Sequence, residues 1–127
     1  MSPKKEGFSK KERLRLNKDF ERVFKEGKKI WIDKYLLIIY TSNNLGYRRL
    51  GLVVSSKIGK ASERNRVKRI LREVFRRNKD LFPESSDLII IPHPNVKTLN
   101  YWELLEIVKN HLSRGKEFLS YDEKLPS

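Results

Sequence analysis

Between Lys57 and Lys79 stand ten lysines and arginines against two acids, Glu63 and Glu73. Arg64, Asn65, Arg66, Lys68, Arg69 and Arg72 are crowded into nine positions of that stretch. If the segment is helical, Lys68, Arg72 and Arg76 fall at i, i+4 and i+8, a row of like charges that costs roughly a few tenths of a kcal/mol per pair when no anion is present. A solvated helix face usually alternates its signs to gain ion pairs. This one does not. Arginine's planar fork bonds two phosphate oxygens at once, so the chemistry on offer is the binding of a polyanion, and nucleic acid is the natural one.

Catalytic chemistry is harder to find. A protein nuclease needs clustered carboxylates to hold magnesium, or a histidine placed as a general base. Only His93 and His111 exist, the first between two prolines and the second in a candidate helix, and both read as surface or core-edge residues. Asp33, Glu84 and Asp87 are scattered at element boundaries, where turns and caps use such residues. Ser55-Ser56-Lys57-Ile58-Gly59-Lys60-Ala61 resembles the end of a phosphate-binding loop, but Val54 stands where a glycine is required and no Ser or Thr follows Lys60. Neither a catalytic nor a metal-ligating set emerges.

The elements that must position the basic cluster can be read from periodicity. Val67, Ile70, Leu71, Val74 and Phe75 form a core-facing stripe in a helix expected from Ala61 to about Asn78, with Ser62 as a possible cap. At 100° per residue, Asn65, Lys68, Arg69, Arg72 and Arg76 occupy the opposite face, with Arg64 and Arg66 on its flanks. Upstream, Ser9-Lys10-Lys11-Glu12 has capping-box spacing, and Asn17 can cap a segment in which Leu16, Phe20, Val23 and Phe24 share a stripe and Gly27 marks the end. Lys29 to Ile32 and Tyr35 to Thr41 read as extended. The loop-like Ser42-Asn43-Asn44-Leu45-Gly46 suggests a hairpin back through Leu50 to Ser55, paired antiparallel. Asp87 to Ile91 is a short strand of buried type, stopped by Pro92-His93-Pro94. A last helix is expected from about Asn100, with Glu103 at capping-box distance, to Arg114; Tyr101, Leu105, Val108 and Leu112 form its apolar face, and Gly115 closes it. Trp31 and Trp102 read as packing residues.

Strand, basic helix and strand across residues 50–91 make a βαβ unit, so the last strand should lie parallel to a neighbour. The fold class is α+β, a small mixed sheet carrying one layer of helices. With 127 residues the chain is expected to be a single nucleic-acid-binding domain, 1–127, with a flexible basic tail over about 1–8 and a frayed tail over about 116–127. The net charge of +13 resides in residues 1–29, which carry +6, and residues 57–79, which carry +8; the remainder is nearly neutral. Solubility alone does not require such segregation, whereas a polyanionic partner does. The longest apolar stretch, Tyr35 to Tyr40, is far short of the roughly 18 residues of a membrane span. Cysteine is absent and no apolar targeting segment opens the chain, which fits the cytoplasm.

Arg64-Asn65-Arg66-Val67-Lys68-Arg69, preceded by Lys57-Ile58-Gly59-Lys60-Ala61 and followed by Arg72 and Phe75, resembles the signature of the bacterial ribonuclease P protein component. The likeness runs from Arg13-Leu14 through Asp19-Phe20 and Val23-Phe24-Lys25-Glu26-Gly27 to the strand at Asp87-Leu88-Ile89-Ile90-Ile91. It implies an accessory subunit of an endoribonuclease that removes the 5′ leader from precursor tRNA, with the hydrolysis carried out by the RNA subunit and its magnesium. It also implies a left-handed βαβ crossover, against the general right-handed preference.

By the same resemblance, Arg64, Asn65, Arg66, Lys68, Arg69 and Arg72 face the catalytic RNA, while Phe20, Phe24, Ser55 and Lys57 line a cleft between the first helix, the sheet and the basic helix that holds the single-stranded leader. Spacing alone makes Phe20 and Phe24 core residues, and one stripe can serve both purposes. Ile38 stands at a cleft position that is aromatic in some relatives, with Tyr40 nearby. Two other classes fit part of the pattern. A structural RNA-binding protein, such as a ribosomal protein, would share the basic helix without needing a cleft. A helix-turn-helix DNA binder would need a short turn before that helix, where this sequence supplies a strand.

Overall fold

The computed structural model describes residues 10–113. The expectations for the two tails, for Ser9 and for Gly115 lie outside them. A four-stranded sheet is built from β1 (Lys28–Ile32), β2 (Leu36–Ser42), β3 (Arg49–Leu52) and β4 (Ser86–Pro92), in the order β1-β2-β4-β3. Three helices accompany it: α1 (Asn17–Glu26), α2 (Ala61–Arg77) and α3 (Tyr101–Ser113). The α+β class with a mixed sheet is as expected, and β4 runs parallel to β3 and antiparallel to β2.

The hairpin expected between the second and third strands does not form, because β4 lies between them. Leu88, Ile89 and Ile90 are apolar on consecutive positions and therefore need cover on both faces, which β4 finds inside the sheet between the α2–α3 layer and the α1 segment. The antiparallel hairpin is instead β1–β2, closed by a tight turn in which Asp33 takes φ +54°.

Strand alternation divides the apolar residues between two cores. Ile30, Ile32, Leu36, Ile38, Tyr40, Leu50, Leu88 and Ile90 point to one face, where Val67, Leu71, Val74 and Phe75 of α2 and Leu104, Val108 and Leu112 of α3 cover them. Ile39 and Ile89 point to the other face, beneath Leu14 and Val23 of the α1 segment. Helices thus lie on both faces, not in one layer. The stripe of α1 fixes that it must be buried, but not on which side of the sheet.

The helix ends also differ in detail from the spacing rules. Asn17 is the first residue of α1, not its cap; Leu16 precedes it without a side-chain cap bond. Glu12 ends a 3-10 turn, Lys10–Glu12, and its carboxylate accepts from Lys79 at 2.7 Å. Ser62 lies inside α2, whose first turn is closed by the Glu63 carboxylate accepting from the Lys60 N–H at 2.9 Å. At α3, Asn100 and Glu103 exchange reciprocal hydrogen bonds of 2.8 and 2.9 Å, as their spacing predicts. The most buried member of that helix's first turns is Leu104, which the expected face omitted.

Candidate nucleic-acid interface

On the face that carries α1, the sheet presents successive rows of side chains running across the strands. Arg49, Asp87 and Thr41 make the first row; Gly51, Ile89, Ile39 and Lys29 the second. The third is formed by Ile91, Leu37 and Trp31, and Val53, whose N–H donates to the Ile90 carbonyl, extends it beyond β3. The helix α1 lies over the first two rows and leaves the third partly open.

Its orientation follows from chemistry on its two flanks. Val23 faces the sheet and is wholly buried. At 100° per residue, Asp19 and Arg22 lie to one side of Val23, and Phe20 and Phe24 to the other. The first flank is tied to the sheet by charge. Asp87 is completely buried, and its carboxylate accepts from Arg22, from Arg49 at 2.8 Å through two N–H groups, and from Asn43 at 2.9 Å. Arg49 also approaches Asp19 at 3.7 Å. Burial works to raise the Asp87 pKa, but the bonds from Arg49 and Asn43 and the two guanidinium charges outweigh it and hold the group below its ordinary value. The same bond to Asp87 holds the Arg49 pKa above its ordinary value, against the opposing effect of burial.

With that flank anchored, Phe20 and Phe24 turn toward the open third row. Phe20 is half-buried against the small core and its ring lies over Gly51, where an added Cβ would stand 2.5 Å from Cζ. Phe24 is 43% exposed. The result is a shallow groove with an aromatic wall and an aliphatic floor of Val53, Ile91 and Leu37, all partly buried. Ser55 and Lys57 are exposed where the chain leaves β3, and the Ser55 hydroxyl accepts from the Lys57 N–H at 3.2 Å.

Several expected residues fall elsewhere. Ile38 and Tyr40 point away from the groove into the core beneath α2 and α3, so the sheet positions available to a ligand are those of the opposite alternation. The body of α2 is likewise on the far face, and only α1 and the sheet wall the groove. Trp31 and Trp102 are not packing residues: they are 59% and 67% exposed. Asp87 is no turn or cap residue but the buried centre of the ion cluster. The floor residue Leu37 carries no sequence signal, because Tyr35 to Thr41 is apolar on both faces and has no period to assign. For Trp31 the signal is the β1 alternation, with Ile30 and Ile32 inward and Lys29 and Trp31 outward.

Across the sheet, α2 directs Asn65, Arg69 and Arg72 into solvent. Lys68 is half-buried beside them. The remaining candidates have internal partners. Arg64 donates to the Gly59 carbonyl at 2.8 Å, and Arg66 to the carbonyls of Lys97 and Leu99 at 3.2 and 2.9 Å. Arg76 pairs with Glu73 at 2.7 Å, which interrupts the row of like charges at its end. Among the described residues, no three His, Asp or Glu side chains converge to hold a metal ion. His93 is exposed, and its Nδ1 accepts from the Asn95 N–H. No described helix is long and apolar enough to cross a membrane.

The chain is similar in sequence and in fold to known proteins. The family model described as Ribonuclease P matches residues 8–116. The ribonuclease P protein component of Thermotoga maritima is 42% identical over 113 residues, covering 86% of this chain and 96% of its own, and that of Petrotoga mobilis is 41% identical over 101, covering 76% and 85%. The solved RNase P protein of Thermotoga maritima superposes with a TM-score of 0.72 at 41% identity, covering 81% of this chain and 96% of its own. That of Staphylococcus aureus gives 0.73 at 28% identity, covering 83% and 95%.

Proposed function

Because the chain belongs to the ribonuclease P protein family, we propose a division of labour between its two faces: the α1 groove holds the single-stranded 5′ leader of precursor tRNA, and the exposed side of α2 lies against the catalytic RNA. The protein is the accessory subunit of this endoribonuclease, and the ribonuclease P RNA is its partner. The observation that carries the division is the placement of an aromatic-walled groove and an arginine-rich helix on opposite sides of one sheet. Unstacked bases can lie on Phe20 and Phe24 and the aliphatic floor, while Ser55 and Lys57 meet the backbone at the groove's end. On the other side Asn65, Lys68, Arg69 and Arg72 offer charge and hydrogen bonds to a folded RNA, with Arg64 and Arg66 shaping the helix's surroundings through their carbonyl contacts. We assign magnesium and the hydrolytic step to the RNA subunit, and the complex to the cytoplasm.

Phe24 gives the cleaner test, since Phe20 also supports the small core. Reconstituted with the RNA subunit, Phe24→Ala should bind precursor tRNA with a leader several nucleotides long roughly tenfold or more weakly, as expected for the loss of one stacked base. Binding of mature tRNA and the melting temperature should stay near wild type. A reaction lacking the RNA subunit should leave precursor tRNA intact. Equal losses for precursor and mature tRNA would remove the groove from leader binding, and cleavage by the protein alone at the mature 5′ end would overturn the assignment of the chemistry.

A further inference from the structure

Trp31 is a large aromatic side chain held in the open on a strand whose neighbouring positions, Ile30 and Ile32, are buried. Its register partner is Leu37, whose own partner is Ile91, so Trp31 continues the groove floor onto the edge strand. From Val53 to Trp31 the row crosses three inter-strand spacings of about 4.8 Å, roughly 14 Å in all. Lys29 shares the outward alternation of β1 and is exposed, as is Lys25 on the adjoining helix. An apolar core has no use for an indole left 59% exposed on the same strand face as the exposed Lys29. An aromatic face next to ammonium groups is instead the composition that holds single-stranded nucleic acid, the ring taking a base and the cation a phosphate.

Resting on the groove reading above, we infer that Trp31 is a specificity-determining residue for the leader: a second stacking platform, past the Phe20–Phe24 wall, that holds a leader base at the β1 edge while Lys29 meets the adjoining phosphate. Continuity of the floor and the charge of its rim both favour a single RNA strand as the occupant. The consequence is a dependence on leader length. Short leaders end within the Phe20–Phe24 part of the groove, and only longer ones reach Trp31.

The holoenzyme, reconstituted with Trp31→Ala, Trp31→Phe or the native protein, is titrated with precursor tRNAs whose leaders increase one nucleotide at a time, and with mature tRNA. Trp31→Ala should match the native protein on mature tRNA and the shortest leaders. Beyond a threshold length it should lose roughly five- to tenfold or more in affinity, and Trp31→Phe should recover most of the loss. The chain has only two tryptophans, so Trp102→Phe makes Trp31 the sole indole; its fluorescence should be quenched by a long-leader substrate and not by mature tRNA. If the native holoenzyme does not distinguish precursor from mature tRNA, the groove reading itself fails and this inference with it. If Phe24→Ala shows a leader-dependent loss while Trp31→Ala matches the native protein at every length, or if Trp31 fluorescence ignores the leader, the groove stands and the second platform is refuted. A loss from Trp31→Ala that is equal for all leaders and for mature tRNA would also refute it.

Discussion

Asp87 shows how one buried residue can fix the orientation of a helix on a sheet, and with it the groove proposed for the leader. A fully buried carboxylate is tolerated only when its charge is matched and its lone pairs are filled, and here Arg22, Arg49 and Asn43 do both. Since Arg22 belongs to α1 and Arg49 to β3, the cluster joins the helix to the sheet through the central strand. Asp87→Asn should cost about 3 kcal/mol, toward the low end of the usual range for breaking a buried pair, because the side chains of Arg22 and Arg49 remain 30% and 20% exposed and can recover water. The pH dependence has a definite sign. A carboxylate whose folded pKa is depressed stabilises the fold fully above its unfolded value, near 4, and loses that contribution as pH falls through the folded value. Chemical denaturation of both proteins across pH should therefore give a constant stability gap near neutrality that narrows below about pH 4. A gap that is independent of pH down to pH 2 would show that Asp87 contributes through shape alone.

At the scale of elements, the groove depends on how closely α1 approaches β3. Gly51 allows the ring of Phe20 to sit on the strand, and a methyl group there would meet Phe20 Cζ at 2.5 Å, Cε2 at 2.9 Å and Leu14 Cβ at 3.3 Å. Gly51→Ala should force the ring outward, reducing stability by about 1–3 kcal/mol, as overpacking of a fitted contact does, and lowering the preference for precursor over mature tRNA. Phe20→Leu in the same chain should restore part of the stability, a coupling that a double-mutant cycle on melting curves measures. Additive losses would mean that Gly51 and Phe20 do not constrain one another. The helices themselves, and the charged and apolar sides of α2, were legible in the sequence because a 3.6-residue period survives wherever only one side is buried. The sheet order and the groove floor were not. The near-continuous apolar runs of β2 and β4 carry no period, so neither the insertion of β4 beside β2 nor the alternation that hides Ile38 is legible in them, whereas the alternation of β1 that exposes Trp31 is. The apolar stripe places Phe20 and Phe24 on α1, but the side of the sheet on which α1 lies is a tertiary choice that local sequence does not encode.

For the molecule as a whole, the segregation of charge makes a quantitative claim about assembly. The +13 comes from two segments, and their described parts centre on α1 with the start of β1 and on α2, which lie on opposite faces of the sheet. Each phosphate neutralised by such a surface contributes roughly −0.7 to −0.9 to the slope of log K against log salt, so binding to the catalytic RNA should weaken steeply as salt rises. The cations of α2 are unequal in this respect. Arg69 and Arg72 are exposed, whereas Arg66 spends N–H groups on the carbonyls of Lys97 and Leu99 and so joins α2 to the segment before α3. The double variant Arg69→Ala/Arg72→Ala should therefore flatten the slope for the catalytic RNA by roughly 1.4–1.8 if each arginine covers one phosphate, with little change in melting temperature. Arg66→Ala should instead lower the melting temperature, since two carbonyls lose a charged donor, and should flatten the slope by less than either exposed arginine does. Filter-binding or fluorescence titrations of the RNA subunit at several salt concentrations, run beside thermal melts, separate the two behaviours. A slope left unchanged by the double variant would mean that the exposed face of α2 points away from the RNA and that the charge of residues 1–29 carries assembly. Under that outcome α1 and β1 would have to serve both the catalytic RNA and the leader, and Phe24→Ala would lose its selectivity for precursor tRNA.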